Sequence, residues 1–490
     1  MQAAIEARAV SYRTRAGQVT VRDISLAVGQ GELVAIIGGS GSGKSTLLSA
    51  MSGVRAPTSG TVLRHVQGNG RPAGSAPARL TGYIPSGSTM HPVLPLARSL
   101  RYTAELRGVS CSDEAAERAL GLVGLAAEAA TPVGDLDPGT RKRAAVAAEL
   151  LAGPAQLFLD EPTAGLDPAQ ATEVVRLLRR LARAGLTVLL TTSSPLDAAR
   201  CDKVAVLAAG GHLAFFGTPA AARGYFGADS LEEIYERLAG LGDPAAAWSR
   251  RFFQFSRTRA GSTVIPTTPR APGPAVLVPD AAGPHSAGSP GLAFPGVPVT
   301  ADEPDAGPDE PSFAASVLAV SCPGGHPARD EGGPLRPVRQ LPVLIRRNVE
   351  VIARTRRTQV TLGCVPVAIL LAFCVLLGIG ALDGPAPVTL AWAVLGGLAA
   401  GLAYELPARG TDAGVLRGEI FSGLSTAAFA AAKAAVLLPV LAVADAVILA
   451  VPAAAGRLPV GFGPAYLAAA VSSAIGLAAA LALAAIAARR

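Results

Sequence analysis

The sequence predicts a parallel α/β domain followed by an all-α bundle of transmembrane helices, the two joined by a long segment without periodicity. Three observations carry this. Short apolar runs alternate with helically spaced stretches as far as about residue 230. One of those runs opens into a glycine-rich loop that leads into a helix. After Val360 the apolar residues become nearly continuous. At 490 residues the chain is too long for one ordinary domain, so two or three regions are expected.

In the first region, Glu32 to Gly38 is an apolar run ending in glycine, as a buried strand would be. Leu157 to Asp160 and Thr187 to Thr191 are two more strands. Between them Ala169 to Ala184 has helical spacing, with Arg176, Arg179, Arg180 and Arg183 at polar positions. The amino terminus has no apolar core of signal-peptide length, so this domain, residues 1–240, is expected in the cytosol. Residues 241–335 read as a linker: Pro, Gly, Ala and Ser dominate there, too little apolar surface to offset chain entropy.

The last region, residues 336–490, opens on Arg346, Arg347, Arg354, Arg356 and Arg357 interleaved with Leu344, Ile345, Val349, Val351 and Ile352. This is the pattern of an amphipathic helix on an anionic membrane surface. Candidate spans follow at 360–382, 388–404, 434–451 and 465–488; the second is marginal in length, so three spans are the alternative to four. The loop Asp383–Pro387 carries no Lys or Arg, whereas the next carries Arg409, Arg417 and Lys433, and the tail ends in Arg489 and Arg490. A multi-pass protein of the cytoplasmic membrane, with its first domain inside, then has its positive charges on the cytoplasmic side, Arg457 excepted. Asp445 stands out as a charge within the third span.

Bulk composition narrows the partners. A net charge of +7 suits cytoplasmic arginines on a lipid bilayer, and 4% aromatic residues leave little for base stacking, so no nucleic acid is expected. The five cysteines, Cys111, Cys201, Cys322, Cys364 and Cys374, are scattered and indicate neither a zinc site nor a disulfide framework.

The chemistry lies in Gly38, Gly39, Ser40, Gly41, Ser42, Gly43, Lys44, Ser45 and Thr46, which fit GxxxxGK[ST] between a strand and a helix. Backbone N–H groups of such a loop cradle phosphates, Lys44 reaches the β- and γ-phosphates, and Ser45 takes a position on Mg²⁺. The run ending Asp160-Glu161-Pro162 supplies the complement. Asp160 belongs to the Mg²⁺ shell, and Glu161 orients or deprotonates the attacking water. The candidate catalytic residues are Glu161 and Lys44, and the expected cofactors are a nucleoside triphosphate and Mg²⁺.

With these residues in place, GELVAIIGGSGSGKSTLLSAMSG and QLFLDEPTAGLDPA, the sequence resembles the ABC ATPases among P-loop NTPases. It resembles more narrowly the G-subfamily and ABC-2 type half-transporters, with the ATPase ahead of the permease. The resemblance implies that Tyr12 stacks on adenine and that Asp167 lies at a dimer interface. It also implies that the chain pairs as a homodimer, or as a heterodimer with another ABC subunit, and exports an unidentified substrate. Departures accompany the likeness. The family's LSGGQ reads Leu136-Asp137-Pro138-Gly139-Thr140, where Pro138 lacks an N–H and Asp137 brings negative charge. The Q-loop glutamine is Ser86, and the switch histidine is Ser193. The family has six spans where four are found, so the other two come from a partner chain or were lost by truncation. The resulting expectation is a chain that binds MgATP and hydrolyses it slowly, or a pseudo-ATPase subunit completing a heteromeric complex.

Overall fold

The computed structural model describes residues 3–65, 81–240, 245–258, 337–378, 386–403, 415–454 and 461–489, less a few single positions, together with isolated positions between 313 and 320. The first part is built on one sheet. Strands β1 (Ala3–Arg13) and β2 (Val19–Gly29) form an antiparallel hairpin, followed by β3 (Leu33–Gly38), helix α1 (Lys44–Ser52), β4 (Ser59–Arg64) and β5 (Thr81–Ile84). Helices α2 (Leu96–Leu106), α3 (Ser112–Leu122) and α4 (Pro138–Leu150) come next. Then β6 (Gln156–Leu159), α5 (Pro168–Arg183), β7 (Thr187–Thr191), α6 (Pro195–Ala199), β8 (Lys203–Ala208) and β9 (His212–Gly217) complete the sheet.

Nine strands run in the order β4-β1-β2-β9-β8-β3-β7-β6-β5. Pairing is parallel from β8 through β3, β7 and β6 to β5, and antiparallel in β8–β9 and in β4–β1–β2. Strands β3, β6 and β7 are buried at every position, as unbroken apolar runs require when both faces are covered. Helix α5 shows how locally the boundaries are set. The Asp167 carboxylate accepts from the N–H groups of Ala169 and Gln170, Pro168 fills the first turn, and Gly185 at φ 102° ends the run. Its apolar face, Val174, Leu178 and Leu181 among others, is buried.

Helices α7 (Pro219–Phe226), α8 (Leu231–Gly240) and α9 (Ala245–Thr258) close this part. The last corrects the linker boundary, since α9 lies inside 241–335. Trp248, Phe252 and Phe255 on α9 pack edge-on or tilted against Phe215, Tyr225 and Phe226, an aromatic cluster that the average composition of the stretch conceals. Of the rest, Val317 and Val320 are buried in the same core, and Phe313 lies 4.0 Å from the Arg180 guanidinium; residues 259–312 and 321–336 are outside the described residues. A second correction concerns cysteine: Cys111 is disulfide-bonded, while Cys201, Cys364 and Cys374 are free.

The C-terminal part contains α10 (Pro337–Arg354), α11 (Arg356–Gly378), α12 (Ala386–Ala403), α13 (Thr426–Ala454) and α14 (Phe462–Arg489). Two stretches are long and apolar enough by length and composition to cross a membrane, Thr426–Val451 with 26 residues and Phe462–Ala484 with 23. Within α11 and α12 the apolar stretches are shorter among the described residues, Thr358–Ala372 and Ala393–Leu402. Arg409, Arg417, Arg457 and Arg490, used above for orientation, lie outside the described residues. Glycines let α12 and α14 nearly touch. A Cβ on Gly401 would come within 2.3 Å of the Ser473 carbonyl oxygen, and one on Gly476 within 2.6 Å of that of Leu398.

Helix α10 corrects the lipid-facing assignment for two of its arginines, Arg346 and Arg347. Arg346 donates to both carboxylate oxygens of Glu105 on α2, at 2.7 and 2.6 Å, and its guanidinium lies over the Tyr102 ring. The Tyr102 hydroxyl donates to Glu350 at 2.6 Å, and burial together with that carboxylate pushes the phenol pKa up. Arg347, 3% exposed, is paired with Glu419. Leu344 joins Leu416, Leu424 and Phe429 in a small core beside these pairs, with Leu106 of α2 packed against it. The amphipathic pattern is there, and protein takes up part of it: Leu344 and Arg347 are buried, while Val338 and Val349 stay exposed.

Because Arg347 is buried, removing only its partner strands a charge. Glu419→Ala is expected to lower the stability of the detergent-solubilised full chain by about 3–5 kcal/mol. The double variant Arg347→Met/Glu419→Leu is expected to recover most of that loss, as read by thermal unfolding.

Candidate functional site

The site forms where β3, β7 and β6 end side by side, the carboxyl edge at which open α/β sheets bind ligands. The loop leaving β3 curls back on itself before α1 begins at Lys44. Gly43, the N-cap of that helix, has φ 95°, and a Cβ there would lie 2.2 Å from the Thr20 carbonyl oxygen. Gly38 is equally hemmed in, 2.3 Å from the Leu207 carbonyl oxygen by the same measure, whereas Gly39 faces open space. The loop is therefore wedged against the β2 and β8 backbones at its two ends and free between them. Gly39, Ser40 and Gly41 are exposed, Thr46 is half-buried, and Ser42 is buried with its hydroxyl unpartnered.

Lys44 Nζ donates to the carbonyl oxygens of Gly38 and Gly39 at 3.0 and 3.2 Å, so its ammonium spans the loop mouth. Ser45 Oγ donates to Asp160 Oδ1 at 2.8 Å, although 115 residues separate them. Thr191, at the end of β7, donates to the same oxygen at 2.6 Å and accepts from the Glu161 N–H at 2.8 Å. Glu161 occupies the left-handed region at φ 49°, which costs a non-glycine residue of order 1 kcal/mol or more. Its carboxylate accepts from Ser193 N and Ser193 Oγ, both at 3.3 Å. The structure thus brings together the loop, Asp160, Glu161 and Ser193.

Ser86 lies beyond β5, exposed, with its carbonyl oxygen accepting from Lys142 Nζ of α4 at 2.9 Å. Burial lowers the Lys142 pKa, against the opposing pull of Asp160 and Glu161. Tyr12 on β1 is half-buried and pairs in register with Val21, and the carbonyl of neighbouring Thr20 is the one pressed on Gly43; the hairpin therefore lies beside the loop. Asp137 does not project freely from the signature position. It caps α4, accepting from the Thr140 N–H at 2.9 Å and from Gln170 Nε2 at 3.1 Å, with Pro138 in the first turn. Hydrogen bonding from Thr140 holds its pKa below the usual carboxylate value.

Thr191 and Lys142 were not singled out from sequence. Neither belongs to a contiguous motif, and their place follows only from strand order and the packing of α4, which no local pattern encodes. The oxygen pair of Ser45 and Asp160 is the donor type that Mg²⁺ takes, and the wedged loop with the unpartnered Ser42 hydroxyl suits a phosphate chain.

These features define a phosphate-loop nucleotide-binding domain of the P-loop NTPase type. Residues 21–164 match the ABC transporter family. The ABC transporter ATP-binding/permease protein Rv1747 of Mycobacterium tuberculosis is 38% identical over 251 residues, 50% of this chain and 29% of that one. Human ATP-binding cassette sub-family G member 5 is 37% identical over 218 residues, 42% of this chain and 33% of its own. A solved ATP-binding subunit of an ABC transporter is 28% identical, covering 48% of this chain and 99% of that one, with a TM-score of 0.42. This chain therefore spans a third or less of the two relatives' lengths.

The steric difference between the glycines is testable. Gly43→Ala is expected to abolish binding of a fluorescent ATP analogue, because the loop cannot keep both φ 95° and its contact with Thr20. Gly39→Ala, with room for the methyl, is expected to bind within a few-fold of wild type.

Proposed function

We propose that this chain is the ATP-binding and permease subunit of an ABC transporter that pairs with a second ABC subunit in the cytoplasmic membrane. The observation that carries this reading is the presence, on one chain, of the Lys44 loop with the Ser45–Asp160 pair and of apolar helices whose outer faces are bare. Val443 is 66% exposed and Leu467 65%, a surface suited to hydrocarbon rather than water. Export of a hydrophobic or amphipathic molecule accords with the resemblance to half-transporters.

In this reading the Gly38–Thr46 loop receives the phosphates, Lys44 moves from the Gly38 and Gly39 carbonyls to the β- and γ-phosphates, and Tyr12 packs on the adenine. Ser45 and Asp160 hold Mg²⁺, which supplies charge neutralisation on the phosphate oxygens. Glu161 accepts the proton of the attacking water, and Thr191 keeps the Glu161 backbone and Asp160 in one frame. The α2–α10 contact, Arg346–Glu105 and Tyr102–Glu350, joins the first part of the chain to the helices.

A second reading, a pseudo-ATPase that completes a heteromeric complex, is favoured by one observation. The helix pole that would face a partner's γ-phosphate is already occupied by the chain's own Asp137 carboxylate, bonded to Thr140 and Gln170. Ser193 also lacks an imidazole, and the loss of a positioned acid–base group costs ~10²–10⁴ in rate.

Turnover of MgATP by the purified full-length chain decides between them, with nucleotide binding followed in parallel. Slow hydrolysis abolished by Glu161→Gln, with binding retained, is the outcome expected of a working ATPase. Binding with no hydrolysis above that variant would assign the chain to the second reading, and absence of binding would overturn both. If the Asp137 cap limits the rate, Asp137→Ser/Pro138→Gly in a homodimer is expected to raise turnover at least several-fold.

A further inference from the structure

Asp445 is 3% exposed, on the face of α13 that packs against α14. Its Oδ2 lies 2.8 Å from the Ser473 hydroxyl oxygen, and that oxygen lies 3.1 Å from the Gly397 carbonyl oxygen of α12. The packing holds this line of three oxygens in place. A Cβ on Gly397 would meet the Ala469 carbonyl oxygen at 2.5 Å and Ser473 Oγ at 3.0 Å, so neither helix can shift toward the other.

Counting hydrogens decides what the line contains. A hydroxyl carries one hydrogen, and a main-chain carbonyl or an ionised carboxylate carries none. With Asp445 ionised, one hydrogen serves two contacts, and one acceptor faces another at hydrogen-bonding distance in apolar surroundings, where an unmade bond costs most. With a proton on Oδ2, the carboxyl donates to Ser473, Ser473 donates to Gly397, and both distances are accounted for.

No neighbouring cation offers another solution among the described residues. Asp445 has no ion pair there, and α12 contributes no titratable side chain. On α14 the titratable groups are Tyr466, stacked on Phe462, and the terminal Arg489; on α13 itself Lys433 lies over Phe429, three turns away. Helix α11 brings Arg356 and Arg357 at its far end and Cys364 and Cys374, both exposed. On α10, Arg346, Arg347 and Arg354 are paired with Glu105, Glu419 and Glu350, and Arg339 is exposed near its start.

We infer that Asp445 is a proton-binding site inside the helical bundle, its carboxyl carrying a proton at neutral pH and closing a relay through Ser473 to Gly397. The ligand is a proton, and releasing it turns the one Ser473 hydrogen to the carboxylate, so that the bond from Ser473 to the Gly397 carbonyl is lost. The inference owes nothing to ATP chemistry and rests on the proposed membrane placement only for the low polarity around the helices.

The test is an infrared difference spectrum of the purified full-length protein at neutral pH, wild type minus Asp445→Asn, in sodium and in choline buffers. The expected result is the C=O stretch of a protonated carboxylic acid, present in wild type, absent from the variant and indifferent to sodium. Loss of a pair of carboxylate stretches instead would overturn the proposal, and sodium dependence of those stretches would mark an alkali-cation site in its place. Should Asp445→Asn fail to fold, Ser473→Ala serves. The acid band is then expected to shift as it loses its hydroxyl partner, and an unshifted spectrum would overturn the assignment.

Discussion

Asp160 Oδ1 accepts two hydrogen bonds, from Ser45 at 2.8 Å and from Thr191 at 2.6 Å, and the candidate site is organised around that atom. It ties the first turn of α1 to the ends of β6 and β7, three elements with no local reason to meet. Charge assistance makes such bonds about twice as strong as neutral ones, and the second hydroxyl also fixes the Glu161 N–H. The unusual φ of Glu161 is tolerated because its backbone is held there from the Thr191 side and its carboxylate from the Ser193 side. The rigidity of the loop has the same origin at its other end, where Gly38 and Gly43 are pressed on neighbouring strand backbones.

The fold was legible wherever the signal is contiguous. The buried runs of β3, β6 and β7 lack polar interruptions, so their type follows from the residues alone, and the phosphate loop is a motif because its chemistry is carried by consecutive backbone groups. The misreadings share a cause. Arg346 and Arg347 looked like lipid-facing charges because their partners, Glu105 and Glu419, lie 241 and 72 residues away. Helix α9 was lost in a composition average, although Trp248, Phe252 and Phe255 suffice to anchor it. The Asp137 substitution was visible, but its partner Gln170 lies on another helix, so the closed state of the α4 pole was not.

The two parts of the chain meet through charged groups rather than a broad apolar seam. Arg346, Glu105, Tyr102 and Glu350 form a connected set, extended by Arg354 at 3.1 Å from Glu350 and by Arg101 at 3.5 Å from Glu105. Their exposures range from 17% to 52% for the ion-paired side chains, a level at which single pairs contribute little and the value lies in geometry. The bidentate Arg346 contact and the short Tyr102 bond fix how α10 lies on α2, while the buried Arg347–Glu419 pair and the Leu344 cluster fix how α10 meets the residues before α13.

The glycine contacts between α12 and α14 have a mechanical consequence. Backbones that leave no room for a methyl at Gly397, Gly401 and Gly476 have no intermediate side chains to reshuffle, so small relative displacements are resisted on compression and forfeit contact on separation. The pair behaves as a single strut with two cylinders. Any rearrangement of the bundle must then take place along the looser seams that this strut makes with α11 and α13, and those seams set how many shapes the C-terminal part can adopt.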